Sequence, residues 1–144
     1  MQEIKWGEFL AKAIKEWLQE DSNKELKSID IIRCWIVRQF QNEYNPVHLH
    51  SGHISGVGYL KVPKSFGSIS EKKNINDKGR LTFIHGSVNL FSKATYVIKP
   101  EVGDFYLFPN YLMHTVYPFS DTDEERRSIS FNAQIDKNAA NYAS

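Results

Sequence analysis

Three histidines carry the strongest chemical signal in the sequence. His48-Leu49-His50 follows Asn45-Pro46 in a stretch that reads as extended backbone. Side chains two apart on a strand point to the same face, so both imidazoles can reach one ion. His114 follows Phe108-Pro109-Asn110-Tyr111-Leu112-Met113, where the Pro-Asn pair predicts a turn between two strands. Three imidazoles on neighbouring strands suit a first-row metal that keeps coordination positions open. An HxH pair alone is weak, because neutral histidine is common in ordinary cores, so its weight depends on what accompanies it.

What accompanies it is a candidate carboxylate grip. Twelve residues after His114 comes Arg126-Arg127-Ser128-Ile129-Ser130-Phe131-Asn132. On a strand, Arg126, Ser128 and Ser130 share one face while Arg127, Ile129 and Phe131 share the other. A guanidinium offers planar paired donors and a hydroxyl adds another, so Arg126 with Ser128 can hold one carboxylate. Arg127 reads better as part of the charged turn with Asp123, Glu124 and Glu125, which leaves Arg126 as the functional candidate.

The elements that must position these groups follow from periodicity. Trp6, Phe9, Leu10, Ala13, Ile14, Trp17 and Leu18 obey the i, i+3, i+4, i+7 rule, which predicts one amphipathic helix packed against a sheet. Beyond Asp21-Ser22-Asn23 come short β-rich runs: Ile29 to Phe40, Val47 to His50, Ile54 to Val62, Leu81 to His85, Ala94 to Ile98, Phe105 to Phe108, Thr115 to Phe119 and Ser128 to Ile135. About eight strands without intervening helices predict a closed or two-layered antiparallel architecture, a sandwich or jelly roll, and exclude a parallel doubly wound sheet. Two long polar connections, Pro63 to Arg80 and Phe119 to Glu125, read as lids, binding loops or plain surface.

Length and charge set the outer bounds. A chain of 144 residues has the size of one domain, 1–144, with one core and one main site. Eighteen basic against seventeen acidic residues leave a net charge of +1, too little to drive general nucleic-acid or membrane binding. The single Cys34 cannot close an internal disulfide and fits a reducing compartment. The Met1-Gln2-Glu3-Ile4-Lys5-Trp6 start lacks a signal-peptide pattern, and no apolar run approaches the ~18 residues of a membrane span. The expectation is a soluble, cytoplasmic protein.

Taken together and in order, these motifs resemble the iron(II)- and 2-oxoglutarate-dependent oxygenases, in particular the small bacterial and phage branch similar to prolyl hydroxylases. The resemblance covers residues 33 to 135. Its parts are His48 and His50, Ser55-Gly56-Val57-Gly58-Tyr59-Leu60, Gly79-Arg80-Leu81-Thr82-Phe83, Pro100 to Pro109, His114 with Val116 and Pro118, and Arg126-x-Ser128 followed by Phe131-Asn132. It implies a mainly β fold: a double-stranded β-helix (jelly-roll) core with the N-terminal amphipathic helix beside it. It further implies Fe(II) held by His48, His50 and His114, and 2-oxoglutarate as cosubstrate with its distal carboxylate on Arg126 and Ser128 and a hydrogen bond from Tyr59. The implied reaction uses dioxygen to hydroxylate an unactivated carbon of a peptide or small molecule, releasing succinate and carbon dioxide.

One position departs from the pattern. The superfamily usually writes its first motif as His-x-Asp or His-x-Glu, whereas this chain has His50 there. His53 and Glu43 are the nearest substitutes, but neither sits at the expected spacing; His85 reads as an ordinary structural residue. Two other readings stay open: a cupin-like three-histidine metalloenzyme that does not use 2-oxoglutarate, and a non-catalytic jelly-roll binding module. Trp35, Tyr44, Phe91, Tyr96 and Tyr111 read as core rather than as pocket lining. The substrate and the oligomeric state are not specified.

Overall fold

The computed structural model describes residues 5–23, 25–68 and 76–136. Helix α1 (Trp6–Ser22) ends where Asn23 turns into the left-handed conformation and its N–H bonds the Gln19 carbonyl, as asparagine does at helix C-termini. The strands are β1 (Ile29–Gln39), β2 (Asn45–His48), β3 (Ile54–Lys61), β4 (Leu81–Ile84), β5 (Thr95–Ile98), β6 (Phe105–Pro109), β7 (Met113–Val116) and β8 (Arg126–Ile135).

The pairing has a simple logic. β1 pairs with β8, β2 with β7, β3 with β6 and β4 with β5, all antiparallel, so the chain is one long hairpin whose tip is the β4–β5 turn. Rolling that hairpin brings β3 against β8 and β4 against β7. The result is two four-stranded sheets, β1-β8-β3-β6 and β2-β7-β4-β5, which is the jelly roll expected from the sequence.

Two apolar layers flank the first sheet. On its outer face Leu10, Ile14 and Leu18 of α1 pack on Ile54, Phe131, Ala133 and Ile135. Between the sheets lie Val57, Tyr59, Leu81, Phe83, Ile98, Phe108 and Val116. Glycine at two positions of β3 makes the outer layer possible. A Cβ on Gly56 would come within 2.3 Å of the Phe131 ring, and one on Gly58 within 3.0 Å of the Phe105 ring. With no side chain there, Phe105 and Phe131 lie parallel across the strand, 6.1 Å apart, and Trp6 and Phe9 of α1 close on Phe105.

Several boundaries differ from the sequence reading, and the differences fall on the chemistry. β2 starts at Asn45 and stops at His48, so His50 lies beyond the strand instead of on its face. Pro46 is tolerated because β2 is an edge strand, where the missing N–H interrupts no ladder. β7 begins early enough to include His114, and β8 early enough to include Arg126. The core assignment of five aromatics is corrected: Tyr44, Phe91, Tyr96 and Tyr111 are 56%, 92%, 68% and 56% exposed, since they sit in loops or on outer faces, and the half-buried Trp35, like Tyr44, lines a cavity with the three histidines. Residues 69–75 of the Pro63 to Arg80 connection, and with them any lid role, lie outside the described residues. Among the described residues no helix is long and apolar enough to cross a membrane.

Candidate functional site

The roll brings the three histidines together. His48, at the end of β2, is the register partner of His114 on β7. His50 is held by a different device: its N–H bonds the Asn110 carbonyl at 3.0 Å and its own carbonyl accepts from the Asn110 side chain at 3.1 Å. The β6–β7 turn therefore returns His50 to the cluster that its departure from the strand would have removed it from. One ring nitrogen from each of His48, His50 and His114 lies within 4.8 Å of the others.

Hydrogen bonding fixes which nitrogens are free. His48 Nδ1 lies 2.7 Å from the Pro46 carbonyl and His114 Nδ1 lies 3.0 Å from the Leu112 carbonyl. A carbonyl only accepts, so both Nδ1 atoms carry protons and each Nε2 presents a lone pair. The Nε2 atoms of His50 and His114 are 3.1 Å apart, close enough for both to bind one ion. Burial among Phe83, Phe108 and the other imidazoles pushes His114 down to about 4. His50 is lowered by burial and then by His48. Imidazole nitrogens that converge on one point, in rings that burial pushes towards the neutral form at His50 and His114, suit a divalent metal, so the donor set fits a metal ion. Among the described residues no carboxylate joins the cluster.

Arg126 closes the other end of the same cavity, which measures about 560 Å³ and is lined by Trp35, Gln39, Tyr59, Ser128 and the histidines. The first residue of β8, it is 3% exposed. It donates from Nη1 to Gln39 Oε1 at 3.1 Å and from Nη2 to the Tyr59 hydroxyl at 3.0 Å, with Nε unpartnered. Its guanidinium carbon stands 4.9 Å from the Tyr59 ring centroid, a cation–π contact. Burial raises Tyr59, with Arg126 opposing, so the phenol keeps its proton. Because its oxygen accepts from Arg126, that proton remains to be given to a ligand. Ser128 is buried opposite Tyr59 in the β3–β8 register.

The guanidinium is thus a buried cation whose direct partners are neutral. The carboxylate next to it in the chain faces the other way: Glu125 pairs with Arg38, Lys61 and Arg127 on the outer face of the sheet. A buried, unneutralised charge is costly, and an anion entering the cavity would relieve that cost.

Of the remaining sequence candidates, none joins the cluster. His53 accepts at Nδ1 from the Ile135 N–H at 3.1 Å and serves the strand ends. Glu43 lines the cavity but folds back to accept from the Phe40 N–H at 2.7 Å. His85 is exposed and lines a separate cavity with Tyr96 and Tyr111. Gln39 was not evident from the sequence; its one signal is a polar residue ending the inward alternation Trp35, Val37, Gln39 of β1.

Comparison with known proteins gives the chain a context. The family model of the 2OG-Fe(II) oxygenases matches residues 33–132. An oxidoreductase of the 2OG-Fe(II) oxygenase family from Burkholderia pseudomallei superposes with a TM-score of 0.57 at 14% identity, over 93% of this chain and 60% of that one. A Pseudomonas putida prolyl-4-hydroxylase superposes with a TM-score of 0.54 at 17% identity, over 86% of this chain and 61% of that one. The chain therefore spans about three-fifths of the length of these two structures. No curated protein matches it.

Proposed function

Because the chain belongs to the 2OG-Fe(II) oxygenases, whose family model covers residues 33–132, we propose that it is a hydroxylase acting on an unactivated carbon of a peptide or small molecule, with residues 1–144 as one jelly-roll domain. His48, His50 and His114 would hold Fe(II), and Arg126, Ser128 and Tyr59 would hold the distal carboxylate of 2-oxoglutarate. With both bound, the site would couple dioxygen-driven decarboxylation of the keto acid, to succinate and carbon dioxide, with hydroxylation of the substrate.

The observation that carries this reading is the buried guanidinium of Arg126, with neutral partners only, in the same cavity as the three-histidine cluster. A ligand with a metal-chelating end and a carboxylate end matches both. The protein's own tasks are plain. The Pro46 and Leu112 carbonyls orient two imidazoles, Arg126 supplies charge, and the Tyr59 proton supplies direction. A peptide substrate is suggested by the fold shared with a prolyl-4-hydroxylase.

One observation favours a second reading. The cluster has three histidines and, among the described residues, no carboxylate, which suits a cupin-like metalloenzyme that needs no keto acid. The two separate on anaerobic loading with Fe(II) followed by 2-oxoglutarate. The hydroxylase reading expects one equivalent of metal and a weak visible charge-transfer band, both lost in His114→Ala. One equivalent of metal without a band points to the cupin-like enzyme, and no metal at all points to a binding module.

A further inference from the structure

We propose that Gln39 is the positioning residue that keeps Arg126 open to a dicarboxylate: a neutral amide occupies a place from which an acidic side chain would close the cation off. This rests on the hydroxylase reading above and adds to it the residue that sets the preference for a keto acid with a second carboxylate.

Gln39 is the last residue of β1, 5% exposed, and the register partner of Arg126. Its Oε1 accepts from Arg126 Nη1 at 3.1 Å and its Nε2 donates to the Glu43 carbonyl at 2.9 Å. A guanidinium only donates and a carbonyl only accepts, so the amide has one possible orientation. It therefore holds the guanidinium plane firmly while cancelling none of its charge.

The carboxylates closest in the chain to Arg126 and to Gln39 are both kept away, and that of Asp104 is taken by the Tyr106 hydroxyl. Glu125 is turned to the outer face, where Arg38, Lys61 and Arg127 engage it. Glu43, whose backbone carbonyl anchors Gln39, turns its carboxylate onto the Phe40 N–H. What reaches Arg126 is an amide and a phenol, and each satisfies a hydrogen bond without neutralising the cation. In a low-dielectric cavity that difference is large, because the Coulomb attraction between two ions, absent from a bond to a neutral acceptor, is weakly screened there.

Gln39→Glu tests this with almost no change of shape. The new carboxylate would pair with Arg126 inside the cavity, and an incoming carboxylate would have to displace it. Gln39→Met is the counterpart: it removes the hydrogen bond but keeps the position neutral. The readout is equilibrium binding to the Mn(II)-loaded protein by calorimetry, with two probes. One is 2-oxoglutarate; the other is pyruvate, a keto acid without the distal carboxylate.

Gln39→Glu is expected to weaken 2-oxoglutarate by about thirty-fold or more while leaving Mn(II) and pyruvate affinity unchanged. Gln39→Met should weaken 2-oxoglutarate by less than about five-fold. A purely structural role would weaken both keto acids alike, in Gln39→Met as in Gln39→Glu, since neither side chain can donate to the Glu43 carbonyl. If the unsubstituted protein does not bind 2-oxoglutarate, the hydroxylase reading itself falls and this inference with it. If it binds and Gln39→Glu stays within about three-fold, the role of Gln39 alone is overturned. Should Gln39→Glu fail to take up Mn(II), Gln39→Met decides: 2-oxoglutarate weakened by about two- to five-fold with pyruvate unchanged supports the inference, and no change in either, or loss of both, overturns it.

Discussion

Glu125, Arg126 and Arg127 are consecutive, yet the two faces of the sheet treat their charges in opposite ways. On the outer face one nearly buried carboxylate, Glu125, is met by Arg38 at 2.5 Å, Lys61 at 3.8 Å and Arg127. On the inner face one buried cation, Arg126, is met by an amide and a phenol. Burial does not distinguish the two, since both side chains are almost inaccessible. Neutralisation does. The outer carboxylate is neutralised, although Arg127 Nε, like Arg126 Nε, has no hydrogen-bond partner, and with half-exposed cations the net worth of the network is modest. The inner one is complete in hydrogen bonds at two nitrogens and incomplete in charge, which marks a place for a ligand.

The largest effect is expected where the open charge is removed. Arg126→Met should raise the Kd for 2-oxoglutarate by about a hundred-fold, the loss of charge-assisted bonds worth ~3 kcal/mol, with metal uptake unchanged. The same substitution should leave thermal stability equal or higher, because an apolar chain of similar length replaces a desolvated, unneutralised cation. Ligand titration and thermal melts of the same variant measure both. A variant that keeps its ligand affinity but melts much earlier would make Arg126 structural and erase the contrast between the faces.

That contrast was half legible in the sequence. Strand alternation alone separates Arg126, Ser128 and Ser130 from Arg127, Ile129 and Phe131, and the cavity is lined by the first set. Eight short runs in order predict a two-layered antiparallel fold but not which runs pair, so the register that seats His48 opposite His114 is a finding of the structure. What could not be read locally is whatever depends on the roll. His50 leaves its strand and is recovered by Asn110, sixty residues on. Gln39 acquires meaning only from a partner 87 residues away. Lys61 reaches the outer network because a bulge between Tyr59 and Lys61 breaks the alternation of β3. Each of these is a long-range hydrogen bond or register shift with no local periodicity to announce it.

A smaller effect separates the faces by acidity. Burial pushes His114 down to about 4 and lowers His50, whereas both would titrate near 6.5 in an unfolded chain. On acidification the unfolded chain binds protons first, so the stability of the neutral rings is whole above about 6.5 and drains away towards 4. The metal-free protein should lose about 5 °C in melting temperature between pH 7 and pH 5, and His114→Phe should remove most of that slope. A flat profile over this range in the unsubstituted protein would mean that the cluster is not desolvated as its geometry indicates.

The smallest effect on the ligand is expected from the outer face. Glu125 is held below the usual carboxylate range, first by its hydrogen bond from Arg38 and further by Arg127. For a carboxyl group so depressed, the stability it lends is present above its unfolded value of about 4.5 and is lost as pH falls through its lower folded value. Glu125→Ala removes that acid-side loss and leaves Arg38, Lys61 and Arg127 facing one another, so melting should come a few degrees earlier at neutral pH. Its effect on the Kd for 2-oxoglutarate should stay below about three-fold, because the carboxylate lies across the sheet from the cavity. The instructive failure would be a loss of affinity approaching that of Arg126→Met. The two faces would then be one electrostatic unit, with Glu125 setting the charge felt at Arg126 through the backbone that joins them.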